Sequence, residues 1–193
     1  MPKVLIIIDL IEDIVGKNSL SKNTHQQAYE RNVISNSNQA AAFAREHKIP
    51  VIWVKVGFAD DYHDIPAGSP MFHKIKEFGA LKLSGTGCDW VSELDVQFRD
   101  LVMVKKGVGA FAGNKLNQWL EENNINHVIF GGVSSLMTIQ SSVRLAHDLG
   151  YHVTVIEDLC SADTLELHQQ SMEALQGMAK ISSLTDFLQG NIE

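Results

Sequence analysis

The sequence predicts an α/β fold, a parallel sheet with helices packed on both faces. Five short segments rich in β-branched residues, at 4–9, 51–56, 101–104, 127–130 and 151–157, alternate with longer stretches of helical periodicity. Parallel strands need such crossovers between them. With 193 residues, 45% of them hydrophobic and 20% charged, the chain can close one core without disulfides or metals. One domain over residues 1–193 is expected.

The first strand, Val4 to Ile8 followed by Asp9, is apolar on both sides of the pleat, and it reads, like the others, as a buried central strand. It is far too short to span a bilayer or to form a signal-peptide core. A long helical pattern at 24–46 leads to the second strand. The stretch 57–100 then breaks the alternation with many aromatic and polar residues, and long inserts of this kind are usually functional or interfacial. Within it Ser69 can cap a short helix with Pro70 in first position, Met71, Ile75 and Phe78 on one face, and Gly79 at its end. After the third strand, Leu116, Trp119 and Leu120 mark a shorter helix. Ile139, Ser142, Val143 and Ala146 recur at helical spacing and predict a helix over 135–149, ended by Gly150. Beyond the last of the five strands, Asp163 and Glu166 form a capping-box pattern. Met172, Leu175 and Ala179 continue an inward stripe there, which predicts a helix over 164–178.

The net charge of -7 is spread along the chain with no run of Lys and Arg, which argues against a nucleic-acid partner. No membrane partner is indicated either, so small molecules or protein partners are expected. Cys88 and Cys160 have no CxxC spacing and no secretory context. They read as reduced, packed thiols of a cytoplasmic protein.

Ligands of open α/β sheets bind outside the carboxyl ends of the strands. The informative residues are therefore Asp9, Lys105 and Lys106, Gly131 to Ser135, and Asp158. An acid and an amine brought to one sheet edge from separate strands can hold each other charged, position a water and transfer a proton. The plainer reading is an aspartate that caps a loop and a solvated lysine. Spacing alone does not separate the two.

Three motifs add a resemblance. Ile8-Asp9-Leu10-Ile11-Glu12-Asp13 is similar to the first-strand signature of the isochorismatase-like hydrolases, whose Asp is catalytic. Val104-Lys105-Lys106-Gly107-Val108-Gly109-Ala110-Phe111 resembles the family's Lys followed six residues later by Phe, which selects Lys105 over Lys106. Gly132-Val133-Ser134-Ser135-Leu136-Met137-Thr138 opens a segment similar to the family's Gly-Val-x-Thr-x-x-Cys. The motifs stand in family order, each at a strand end. The resemblance implies a single Rossmann-like, three-layer domain with a six-stranded parallel sheet, a homo-oligomer (dimer or tetramer), and a strand-end pocket partly closed by the insertion. It also implies a cis peptide at Val133–Ser134 and an oxyanion site from backbone amides near Ser134 and Thr138.

The departures bear on chemistry. Where the superfamily's amidases carry a nucleophilic cysteine, this chain has Thr138, a poor nucleophile unless a base activates it. Isochorismatases proper also lack the cysteine, because cleaving a vinyl ether needs protonation of the enol carbon and attack by water. The resemblance therefore implies a hydrolase of a small, anionic substrate, with Asp9 as acid, Lys105 as its electrostatic partner and no cofactor. One alternative is an amidase in which Thr138 or a water replaces the thiolate. Another is a catalytically silent binding or assembly protein. Ile11 stands where many members have Gln, which removes one possible substrate contact.

Several other residues carry two readings. Phe58, Phe72 and Trp90 could line the substrate pocket or pack at a subunit interface. His168 reads as a hydrogen-bonded core or interface histidine rather than a catalytic one. Asp60, Asp61 and His63 do not match the spacing by which nicotinamidases hold a metal, so no metal site is expected. Glu157 and Asp158 read as structural acids favoured by the helix N-terminus beyond them.

Overall fold

The computed structural model describes residues 1–191. β1 (Lys3–Ile8), β2 (Val51–Val56), β3 (Leu101–Lys105), β4 (His127–Val133), β5 (His152–Ser161) and β6 (Lys180–Ser182) form one sheet in the order β3-β2-β1-β4-β5-β6. Every pairing is parallel. Strand order reverses between β1 and β4, and the crevice at that switch point is where this architecture binds ligands. β6, only three residues long, is too short for β-branched periodicity to mark.

The helices are α1 (Glu12–Val15), α2 (Lys22–Glu30), α3 (Val33–Glu46), α4 (Pro70–Phe78), α5 (Leu116–Glu122), α6 (Gln140–Asp148), α7 (Leu165–Glu173) and α8 (Leu184–Leu188). Alternation along β1 divides the core. Leu5 and Ile7 pack with Ala40, Ala44 and Phe187 of α3 and α8, whereas Val4, Ile6 and Ile8 pack with Leu120, Val143 and Met172 of α5, α6 and α7. Burying each such Leu or Ile stabilises by about 1.5–3 kcal/mol. Helices thus cover both faces, as the apolar runs predict. Among the described residues no helix is long and apolar enough to cross a membrane.

Four local expectations are corrected. The pattern at 24–46 is two helices, because Asn32 adopts φ 56° between α2 and α3, a left-handed conformation that Asn tolerates. β3 is an edge strand with Leu101 and Val102 exposed; its apolar composition does not report its place in the sheet. β4 and β5 run on past their expected ends to Val133 and Ser161. β4 passes through two glycines, since a Cβ on Gly132 would lie 2.2 Å from the Ile8 carbonyl oxygen and one on Gly131 would meet Leu159. Finally, Thr164 and not Asp163 caps α7, its hydroxyl accepting from Leu167 N–H at 3.2 Å.

The insertion at 57–100 has its own small core of Ile11, Val56, Phe58, Tyr62, Phe72, Leu81 and Cys88. Ser69 caps α4 as predicted, and Gly79 ends it at φ 67°. Its buried residue is Phe72, however, while Phe78 points out at 73% exposure. The insertion is strapped to the loop after β1 by Glu12 N–H to Asp89 and Val91 N–H to Leu10, and Asp13 accepts from Leu81 N–H at 2.7 Å.

Candidate active site

β1 delivers Asp9 to the switch point at φ 63°. The left-handed geometry, unfavourable for a residue with a side chain, is held by its N–H on the Val54 carbonyl at 2.8 Å and by Val56 N–H on Oδ1 at 2.8 Å. Its other oxygen, Oδ2, meets Lys105 Nζ at 2.8 Å, and both side chains are 2% exposed. Lys105, the last residue of β3, also donates to the carbonyls of Gly107 at 3.1 Å and Val108 at 2.6 Å, so its three N–H bonds are all engaged. Lys106 is turned away to Asp64 and the Gly57 carbonyl. Burial pushes the Asp9 carboxyl above the usual carboxylate range, outweighing the opposing pull of Lys105 and of its hydrogen bonds.

β4 delivers the third group. It ends in a cis peptide between Val133 and Ser134, and the chain then opens into a wide first turn in which Ile139 N–H reaches back to the Ser134 carbonyl at 3.1 Å. The amides ahead of Ile139 lie at a helix start, where N–H groups lack intrahelical acceptors. Thr138, on this turn, points its hydroxyl at Asp9 Oδ2 from 3.4 Å. A buried relay braces the turn from behind. Arg31 approaches His168 Nε2 at 3.0 Å, and Ser135 Oγ lies 2.7 Å from His168 Nδ1. A guanidinium only donates, so Nε2 accepts, the ring is neutral, and its Nδ1–H donates to Ser135. Burial and Arg31 push His168 down to about 4. His168 is thus the hydrogen-bonded core residue its position on the stripe predicts.

Asp9, Lys105 and Thr138 open onto a cavity of about 230 Å³ walled by apolar side chains, among them Met71, Phe72, Ile75 and Leu81. A family model of the isochorismatase domain matches residues 3–186 of this chain.

The chain belongs to the isochorismatase family of hydrolases.

This family member is 27% identical over 188 residues to the isochorismatase family protein YecD of Escherichia coli O157:H7, across 95% of this chain and 93% of that protein. It is 33% identical over 138 residues to the ureidoacrylate amidohydrolase RutB of Enterobacter sp. (strain 638), across 65% of this chain and 60% of that protein, less than two thirds of the relative's length. In fold it is similar to the crystal structure of an isochorismatase family protein from Desulfovibrio vulgaris subsp. vulgaris str. Hildenborough, with a TM-score of 0.84 and 23% identity across 96% and 95% of the two chains.

Of the substrate-contacting residues expected in this isochorismatase-family chain, Ser134 and Phe72 line the cavity. Phe58 and Trp90 do not. Phe58 lies fully buried behind Phe72, ring centroids 5.1 Å apart, and Trp90 bridges Ile11. Ile11 faces the insertion core, so its apolar character serves packing. Neither thiol lines the cavity; burial pushes Cys88 up to about 11 and Cys160 up to about 12. Asp61 pairs with His63 on an exposed loop, and Asp60 accepts from Ser84. Asp158 accepts from Leu184 N–H at 2.6 Å, a structural acid at the start of α8.

Leu20, Thr24 and Asp163 also line the cavity and were not legible as site residues. Asp163 reads as a cap only when β5 is ended too early. With the strand carried to Ser161, it becomes a strand-end acid. The anionic substrate expected from sequence meets no unengaged cation: among the described residues the only basic side chain in the wall is Lys105.

Proposed function

We propose that this protein hydrolyses a small molecule by acid–base chemistry at Asp9, with no cysteine nucleophile. The observation that carries the reading is the buried Asp9–Lys105 pair at 2.8 Å, set against an apolar cavity at the switch point. Burial shifts the Asp9 carboxyl upward, which favours the acid form, the one that donates a proton. On a vinyl ether that proton goes to the enol carbon, water adds to the resulting oxocarbenium carbon, and the hemiketal expels the alcohol. Lys105 orients the carboxylate left behind and holds its charge. The amides at the turn before Ile139 would stabilise negative charge on the oxygen of the departing alcohol, not the oxocarbenium that precedes it.

Thr138 supports a second reading. Its hydroxyl at 3.4 Å from Asp9, with an amidohydrolase among the relatives, fits an amidase in which Asp9 activates Thr138 or a water.

Turnover of a panel of enol ethers and small amides separates the two. Under the first reading, Asp9→Asn lowers kcat by about 10²-fold or more and Thr138→Ala by only a few-fold. Wild-type rate falls as pH rises through the raised Asp9 value, because the acid form is the active one. Equal loss in Asp9→Asn and Thr138→Ala, with a trappable acyl-enzyme, would establish the threonine mechanism instead. The two free, buried cysteines support a cytoplasmic protein. Exposed Phe78 and Phe98 on the insertion support a homo-oligomer, and light scattering that reports a monomer at micromolar concentration would exclude one.

A further inference from the structure

The charge of the cavity wall is unusual for a site that would take an anion. Lys105 has no N–H left to give, whatever the protonation of Asp9, because Asp9, Gly107 and Val108 accept all three. Beyond the Asp9–Lys105 pair, the one charged group in the wall among the described residues is acidic. Asp163 follows the end of β5, and its Oδ1 is held by the hydroxyls of Thr24 and of Ser21, the latter at 3.4 Å. Oδ2 has no partner among the described residues. The rest of the wall is largely hydrocarbon, with Met71, Phe72, Ile75 and Leu81 from the insertion and its flanks. An anion entering here would lose its water without gaining a counter-charge and would meet a carboxylate at the rim, whereas an N–H donor would find an acceptor waiting.

Resting on the reading of this cavity as the active site, we propose that its substrate is a small, neutral or cationic molecule. It presents an N–H donor to Asp163 and an apolar body to Met71, Phe72 and Ile75. Asp163 acts as a specificity-determining residue at the rim, and the reacting bond lies at the far end beside Asp9. Enol ethers and amides that carry such a donor on one ring or a short hydrocarbon chain belong to this class. Dicarboxylates do not.

Three probes of one shape and different charge test it: benzamidine, benzamide and benzoate, titrated at neutral pH into the wild-type chain. Affinity is read from amide shifts, which should centre on residues 133–138 and 163. Benzamidine and benzamide should bind about tenfold or more tighter than benzoate. Asp163→Asn should weaken benzamidine about three- to tenfold, the scale of a charged hydrogen bond at a partly solvated rim, and leave benzamide within about twofold. Because Asp163 is exposed, the variant should keep the wild-type melting temperature. Benzoate binding as tightly as benzamide, benzamidine affinity indifferent to Asp163→Asn, or no saturation by any probe at about 10 mM would each overturn the proposal. These outcomes are independent of turnover. Preference for benzoate combined with activity lost in Asp9→Asn would sink the specificity and leave the chemistry, and full activity in Asp9→Asn would sink the chemistry alone.

Discussion

At the scale of the residue, Asp9 and Lys105 are each 2% or less exposed and each satisfied by the other and by main chain. Ion pairs this deep do little for stability, since desolvation cancels most of the attraction, but removing one partner strands the other. Lys105→Met should therefore destabilise the fold by about 2–4 kcal/mol. Adding Asp9→Asn to Lys105→Met should recover part of that loss, because the stranded carboxyl is gone. Urea denaturation of the two single variants and the double variant measures the coupling. Strict additivity would mean that the pair does not interact in solution.

Elements bring these residues together through close approaches that tolerate little change. β4 lies against β1 at Gly132, whose φ of 122° and whose contact with the Ile8 backbone leave no room for a side chain. Gly132→Ala should cost roughly 3 kcal/mol or more, because the clash is with main chain that cannot rotate away. It should also impair any activity more than its loss of stability explains, since β1 and β4 carry Asp9 and the Thr138 turn. Thermal melting and turnover of the same preparation would show both effects. A wild-type melting temperature would contradict the close approach. The turn itself is braced by Arg31, His168 and Ser135, a relay assembled from the cap that ends α2, from α7 and from the first residue of the turn.

For the whole molecule, two buried histidines set the acid limit. Burial, aided by nearby cations, pushes both His127 and His168 down to about 4, against an ordinary value of about 6.5. As pH falls from about 6.5 toward 4 the unfolded chain takes up protons that the folded chain refuses, so stability drops across that window. Asp9, shifted upward, acts in the opposite sense, since its stabilising contribution grows as pH falls through its folded value. The histidines, being two, should dominate. The melting temperature should decline from pH 6.5 to 4, and the slope should flatten in His127→Asn and His168→Asn even where the baseline is lower. An unchanged slope in both variants would assign the decline elsewhere.

Local pattern was enough to determine much of this protein. The β-branched runs that lead into Asp9 and Lys105, with helical periodicity between them, imply a parallel sheet, because side-chain period and hydrophobic run length are properties of a short stretch of chain. The family motifs added which lysine, Lys105 rather than Lys106, would face Asp9. Tertiary structure decided what depends on neighbours remote in sequence. The Gly131-Gly132 pair looks like a strand end, yet it continues β4 because Ile8 and Leu159 press against it. Phe58 and Trp90 have the composition of a pocket wall, but packing turns them into the insertion's own core and strap. Asp163 resembles a helix cap until β5 is seen to reach Ser161 and Thr24 to hold its carboxylate. Charge balance in the cavity was hidden for the same reason: whether a lysine is free to meet a substrate depends on which carbonyls surround its nitrogen, and those belong to a loop whose path only the folded chain defines.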